Sequence, residues 1–119
     1  METHAPPPAP VRRIEREELR DRLARHEDFK LVMATGEFGF RVKHIPGSVH
    51  FKNTEAMLAA LGKDEPIVVY CSNFDCHASL ALIQKLRDHG YTKVSHYAGG
   101  VIDWEEAGLP IEGEWAPVA

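Results

Sequence analysis

Between residues 29 and 107 short apolar runs alternate with segments whose apolar residues recur every three or four positions. Phe29 to Met33, apolar at Leu31, Val32 and Met33, reads as a strand of the parallel, doubly covered type. Ile67 to Tyr70 is β-branched and aromatic with Pro66 before it, which predicts a buried strand, and Val94 to Tyr97 predicts another. Ser48-Val49-His50-Phe51 follows the Ile45-Pro46-Gly47 turn and reads as a further short strand. The helical segments lie between these. Leu19 and Leu23 form the buried stripe of a helix whose other face carries Glu15, Arg16, Glu17, Glu18 and Arg20, a solvated charge run. A turn at Gly36 leads to a short helical piece with Phe38 and Phe40. Asn53 or Thr54 caps a helix with Met57, Leu58 and Leu61 on its apolar side, and Gly62 stops it. From Cys76 onward Leu80, Ile83 and Leu86 recur at helical spacing up to Gly90, and a last helix is expected from Val101 to Ala107. Strands alternating with helices predict an α/β fold, a central, mostly parallel sheet flanked by helices on both faces.

Composition narrows the possibilities. With 119 residues and 44% hydrophobic side chains the chain is the size of one domain with a proper core. Fourteen basic and 18 acidic side chains give a net charge of -4, so there is no electrostatic footprint for nucleic acid. No apolar run approaches the roughly 20 residues of a membrane span, and the N-terminus has no apolar signal-peptide core. Two cysteines in one loop do not suggest a secreted disulfide framework, which makes a cytoplasmic location the default.

The chemistry concentrates on Cys71. It ends the Ile67–Tyr70 strand and opens the loop Ser72-Asn73-Phe74-Asp75-Cys76-His77, which enters a helix. Backbone N–H groups at such a junction stabilise a thiolate and can cradle an anion, the equipment of sulfur or phosphoryl transfer. Cysteine is equally at home as a small buried hydrophobe. Local sequence leaves both readings open.

Three motifs in register change that balance: Lys43-His44-Ile45-Pro46-Gly47-Ser48-Val49, then Ile67-Val68-Val69-Tyr70-Cys71, then Gly90-Tyr91 with Val94 and Tyr97-Ala98-Gly99-Gly100-Val101-Ile102-Asp103-Trp104, closed by Gly108-Leu109-Pro110. In order and spacing they resemble the rhodanese-like family of single-domain sulfurtransferase-like proteins. The resemblance covers residues 14–113. It leaves 1–13, with Pro6, Pro7, Pro8 and Pro10, as a disordered tail, and 114–119 as a C-terminal tail in which Trp115 either packs back or is loose. It implies a rhodanese-like fold and a sulfurtransferase or sulfur carrier. Cys71 would be the nucleophile that holds a persulfide, and Ser72, Asn73, Phe74, Asp75, Cys76 and His77 the anion-binding loop. The Cys71–Cys76 spacing does not match a four-ligand zinc site, with no second-pair spacing for His77 and His44 to complete one, so neither a metal nor a cofactor is expected. The partners would be a sulfur donor and a thiol acceptor, which can be a protein, with no nucleic acid, no membrane and a monomer by default.

The chain also departs from the family pattern. The loop cation five positions beyond the cysteine is replaced by Cys76, and the next position by His77. The family's D-x-R falls on Met33 and Thr35. Loss of these charges predicts weak binding of thiosulfate, a doubly charged donor. Cys76 reads either as packing or as a resolving thiol that would make the loop a redox sensor. A reduced thiol pair is the expected resting form, because the loop would have to unwind to bring the two together. A non-catalytic protein-interaction module is the remaining alternative. A phosphatase is disfavoured, because the sixth position after Cys71 is His77 rather than the arginine that would clamp a phosphate. His44 is expected to shape a turn, and Trp104 to pack in the core.

Overall fold

The computed structural model describes residues 11–73 and 77–116. The chain runs β1 (Arg12–Arg13), α1 (Arg16–Ala24), β2 (Lys30–Met33), α2 (Glu37–Val42), α3 (Thr54–Ala60), β3 (Ile67–Tyr70), α4 (Ala78–Asp88), β4 (Val94–Tyr97) and α5 (Gly100–Glu106). The four strands form one sheet in the order β1-β4-β3-β2. All three pairings are parallel, in a register that sets Leu31 beside Val68 and Val68 beside Ser95.

Strand side chains point alternately to opposite faces, and both faces are covered. Leu31, Met33, Val68, Tyr70 and Tyr97 pack with Leu19 of α1 and with Val101 and Trp104 of α5. Val32, Ile67, Val69 and Val94 pack with Met57 of α3 and with Ile83 and Leu86 of α4. Each fully buried aliphatic side chain contributes about 1.5–3 kcal/mol, so these two layers hold the sheet. The fold is α/β with helices on both faces, as the sequence predicts. Among the described residues no helix is long and apolar enough to cross a membrane.

Three local expectations change, and the two-way expectation for Trp115 resolves to one arm. The sheet begins earlier than residue 14: Arg12 and Arg13, read from sequence as tail, pair with Ser95 and His96 through their backbones while their side chains stay exposed. The short strand expected at 48–51 reduces to one parallel bridge, Val32 to Val49, made by Val49 N–H donating to Leu31 O at 2.8 Å and Met33 N–H to Val49 O at 3.0 Å. On α4 the buried stripe is Ser79, Ile83 and Leu86, and Leu80 is 43% exposed. Ser79 sits four residues before Ile83 and wins the inward position because its hydroxyl meets His96 Nε2 at 2.9 Å. In the C-terminal segment Glu114 and Trp115 N–H donate to Arg41 and Val42 carbonyls, and the Trp115 ring stands edge-on to Phe38, so Trp115 packs back.

Two expected helix boundaries hold. Asn53 caps α3 by accepting from Ala56 N–H at 2.8 Å, and α4 stops before Gly90, whose φ is +91°.

Candidate active site

Cys71 follows β3 directly, at the C-terminal end of a middle strand. Ligands of open α/β sheets gather outside such strand ends. Two neighbouring elements fix its backbone. Ala34, just past β2, donates to Tyr70 O at 2.7 Å, and its own carbonyl lies 3.7 Å from Cys71 Sγ. On the other side α5 holds the loop: Val101 N–H donates to Cys71 O at 3.1 Å and Ile102 N–H to Ser72 O at 3.0 Å. Gly100 makes this approach possible. Its φ is +68°, and a Cβ there would stand 2.5 Å from Cys71 O and 2.7 Å from the Ser72 carbonyl carbon. In a trans peptide N–H and C=O point oppositely. With the Cys71 and Ser72 carbonyls held against α5, the N–H groups of Ser72 and Asn73 therefore face away from it, the arrangement an inward-facing anion cradle needs.

The remaining predicted loop residues divide. Phe74, Asp75 and Cys76 lie outside the described residues. His77 is exposed at the N-cap of α4, with no side-chain cap, and its carbonyl accepts from Ala81 N–H at 3.1 Å. Cys71 is buried, at 2% exposure, and disulfide-bonded, rather than in the reduced form expected from sequence.

The other motif residues hold the elements of the fold together. Tyr70 hydroxyl accepts from Ile45 N–H at 3.0 Å and pairs with Ser48 Oγ at 2.8 Å, while Ser48 Oγ donates to Ile45 O at 2.6 Å. This triangle, buried at Ile45 and Tyr70 and half-buried at Ser48, ties the Ile45-Pro46-Gly47-Ser48 turn to β3, and burial pushes the Tyr70 phenol up to about 12. His44 Nδ1–H donates to Phe40 O at 2.7 Å and its ring stacks on Phe40, the turn-shaping role expected of it. Trp104 is buried, its indole N–H donating to Pro110 O at 2.9 Å. Asp103 of α5 accepts from Tyr97 hydroxyl at 2.5 Å and from Arg16 Nη1 at 2.8 Å, joining β4, α1 and α5. Burial first and Asp103 second raise the Tyr97 phenol. Ser79 and His96 pin α4 to β4; burial, then the charge of Arg13, lowers the His96 pKa.

Ala34, whose carbonyl lies 3.7 Å from Cys71 Sγ, also lines a cleft of about 300 Å³. Met33, Ala34 and Thr35 form one wall, Asn53, Thr54 and Met57 another, and Ala78, Ala81, Leu82 and Lys85 of α4 the third. Sequence reasoning missed this cleft and Lys85, the basic residue among the described ones that line it. Only the side-by-side packing of α3 and α4 creates it, and no local pattern encodes that.

Comparison with known proteins completes the picture. Residues 15–107 match the family model described as rhodanese-like domain. A sulfurtransferase of Allochromatium vinosum is 30% identical over 103 residues, covering 85% of this chain and 94% of that protein. A crystal structure of a Bacillus halodurans protein superposes with a TM-score of 0.82 at 20% identity, over 89% of this chain and 80% of that one. The solution structure of a rhodanese-like domain from Anabaena gives 0.78 at 23% identity, over 90% and 85%. A thiosulfate sulfurtransferase from Pseudomonas aeruginosa gives 0.73 at 20% identity, over 87% of this chain and 20% of that one. At these identities the solved structures speak for the fold.

Proposed function

This chain belongs to the rhodanese-like domain family, and from that premise we propose that it is a sulfurtransferase or sulfur carrier that holds sulfane sulfur as a persulfide on Cys71. In the reduced protein the Cys71 thiolate attacks the outer sulfur of a donor such as thiosulfate. A new S–S bond forms on Cys71, the donor's S–S bond breaks, and sulfite leaves with the electron pair. A thiol acceptor or cyanide then takes the outer sulfur and returns the thiolate. The observation that carries this reading is the anchoring of the Cys71 and Ser72 carbonyls by α5, which turns the following N–H groups away from that helix, as an anion cradle requires. Ser72, Asn73 and His77, together with Phe74, Asp75 and Cys76, form the cradle in this reading.

Thiosulfate is a weak donor here, because Cys76 stands where the family carries a loop cation. One charge-assisted hydrogen bond contributes about 1.5–3 kcal/mol, so its absence costs roughly tenfold to a hundredfold in binding. The test is cyanide-dependent thiocyanate formation by pre-reduced protein. Wild type is expected to turn over slowly, Cys76→Arg faster, and Cys71→Ser not at all. No turnover by wild type or by Cys76→Arg would leave a protein-interaction module as the better reading, and turnover that survives Cys71→Ser would remove Cys71 as the nucleophile.

A second reading has its own observation, the disulfide-bonded state of Cys71. Cys76 is the only other cysteine of the chain, and as a resolving thiol it would switch sulfur transfer off by oxidation. Thiol counting after graded peroxide tests this: wild type should lose two thiols together, and Cys76→Ser should stall as a sulfenate. If both proteins oxidise alike, Cys76 has no resolving role.

A further inference from the structure

The two glycines at the start of α5 face different neighbours. A Cβ on Gly100 would meet the Cys71 and Ser72 carbonyls, whereas a Cβ on Gly99 would stand 2.6 Å from Asp103 Cβ and 2.6 Å from Asp103 Oδ2. The absence of a side chain at 99 lets the Asp103 carboxylate fold back over the chain that enters the helix. Its two oxygens then take different partners. Oδ2 accepts from the Tyr97 hydroxyl at 2.5 Å, and Oδ1 accepts from Arg16 Nη1 at 2.8 Å. Tyr97 is buried at the end of β4, and Arg16 opens α1. One carboxylate in the first turn of α5 therefore ties that turn to two other elements. Arg13, Glu15 and Glu17 line the same recess, and Glu17 shares Arg16 at 3.2 Å from Nη2. The same turn of α5 holds the active loop, through Val101 N–H to Cys71 O and Ile102 N–H to Ser72 O. A helix of seven residues is about 10 Å long and shifts as one body. Where Asp103 seats it decides where the loop carbonyls lie, and with them the N–H groups that point the other way.

Resting on the sulfurtransferase reading above, we propose that Asp103 is a positioning residue for Cys71. Clamped by Tyr97 and Arg16, it keeps α5 at the separation from which Val101 and Ile102 fix the loop, and so maintains the direction of the Ser72 and Asn73 N–H groups on which a stable thiolate depends in that reading. Asp103 acts through α5 and touches no substrate. Its two conceivable influences on the thiol have opposite signs. A bare negative charge disfavours a thiolate, so removing it would lower the Cys71 pKa. A positioning group favours the thiolate through the loop, so removing it raises that pKa.

The experiment follows the rate of Cys71 alkylation by iodoacetamide against pH in pre-reduced full-length protein, with peptide mapping to separate Cys71 from Cys76. Asp103→Ala should raise the midpoint of that profile by about half to one pH unit, a fraction of what one hydrogen bond to a charged group is worth. Gly99→Ala keeps the charge but displaces the carboxylate, and Tyr97→Phe changes no charge and spares the Arg16 pairing; both should move the midpoint in the same direction. In the Asp103→Ala background Tyr97→Phe should add less than about 0.2 unit, because the two act through one contact. Sulfur uptake by Cys71 from thiosulfate, read by mass spectrometry at the wild-type midpoint, should slow at least about twofold in Asp103→Ala. If the variants lose stability in urea yet keep the wild-type midpoint, Asp103 only braces the fold and the proposal is overturned. A midpoint that falls in Asp103→Ala and stays put in Tyr97→Phe marks a bare charge effect and overturns it equally. Should Asp103→Ala fail to fold, Tyr97→Phe decides alone, and an unshifted midpoint there overturns the proposal. If wild type takes no sulfur on Cys71, the sulfurtransferase reading fails, and the alkylation midpoints still decide whether Asp103 positions the thiol.

Discussion

Replacing Gly100 with alanine tests the support of the active loop, because two separable costs meet at that position. Its φ of +68° lies in the left-handed region, where a residue with a Cβ is disfavoured by about 1–2 kcal/mol. The Cβ would also stand 2.5 Å from Cys71 O, which is backbone and cannot rotate aside. The loop and α5 must separate, which puts the hydrogen bonds of Val101 N–H and Ile102 N–H at risk, each contributing about 0.5–1.5 kcal/mol. Together the loss should be about 2–5 kcal/mol. Two other glycines isolate the terms. Gly47, at φ +87° with nothing within 4 Å of its Cβ position, should cost only the backbone term, about 1–2 kcal/mol. Gly62, with ordinary contacts to Glu65 at 3.7 Å, should stay within about 0.5 kcal/mol of wild type. Urea unfolding under reductant is the assay. With a slope of about 1.5 kcal/mol/M, Gly100→Ala should lower the midpoint by about 1–3 M. Its Cys71 should also alkylate at a rate different from wild type, while Gly47→Ala leaves that rate unchanged. If Gly100→Ala is no worse than Gly47→Ala, the close packing of α5 on the Cys71 loop is not what holds that loop.

Three further outcomes follow from buried polar groups. Tyr70→Phe removes the hydroxyl that accepts from Ile45 N–H and should destabilise by about 1–3 kcal/mol, read by the same urea assay. Because the Tyr70 phenol is raised to about 12 from an ordinary 10.0, its contribution is full below the ordinary value and lost as pH climbs through the folded one; the alkaline loss of stability should be smaller in Tyr70→Phe. His96 is held below its ordinary 6.5 by burial and by Arg13, so the stability it lends is present above that value and lost as pH falls through its folded pKa. Urea midpoints at about pH 7 and about pH 5 should differ less in His96→Gln than in wild type.

How far the sequence could be read depends on whether a feature is local. The Ile67–Tyr70 strand, the Asn53 cap and the stop at Gly90 are written in neighbouring residues, and they hold in the structure. The closeness of Gly100 to the Cys71 loop joins residues far apart in the chain, and no local pattern encodes it. β1 was invisible because two exposed arginines carry no apolar alternation, and they pair through backbone alone. On α4, Ser79 and Leu80 both stand one turn before Ile83. The partner that decides between them, His96, comes from another element. Lys85 looks like any exposed helix lysine until Thr54 is seen across the cleft.

The central claim is that Cys71 carries sulfur. Its most direct test is peptide-resolved mass spectrometry of pre-reduced protein after brief exposure to an organic thiosulfonate or to thiosulfate, followed by alkylation of the remaining thiols. The account predicts a mass gain of one sulfur atom on Cys71, removed by cyanide with release of thiocyanate and absent in Cys71→Ser. Added sulfur on Cys76 alone, or none on either cysteine while the fold remains intact, would contradict it.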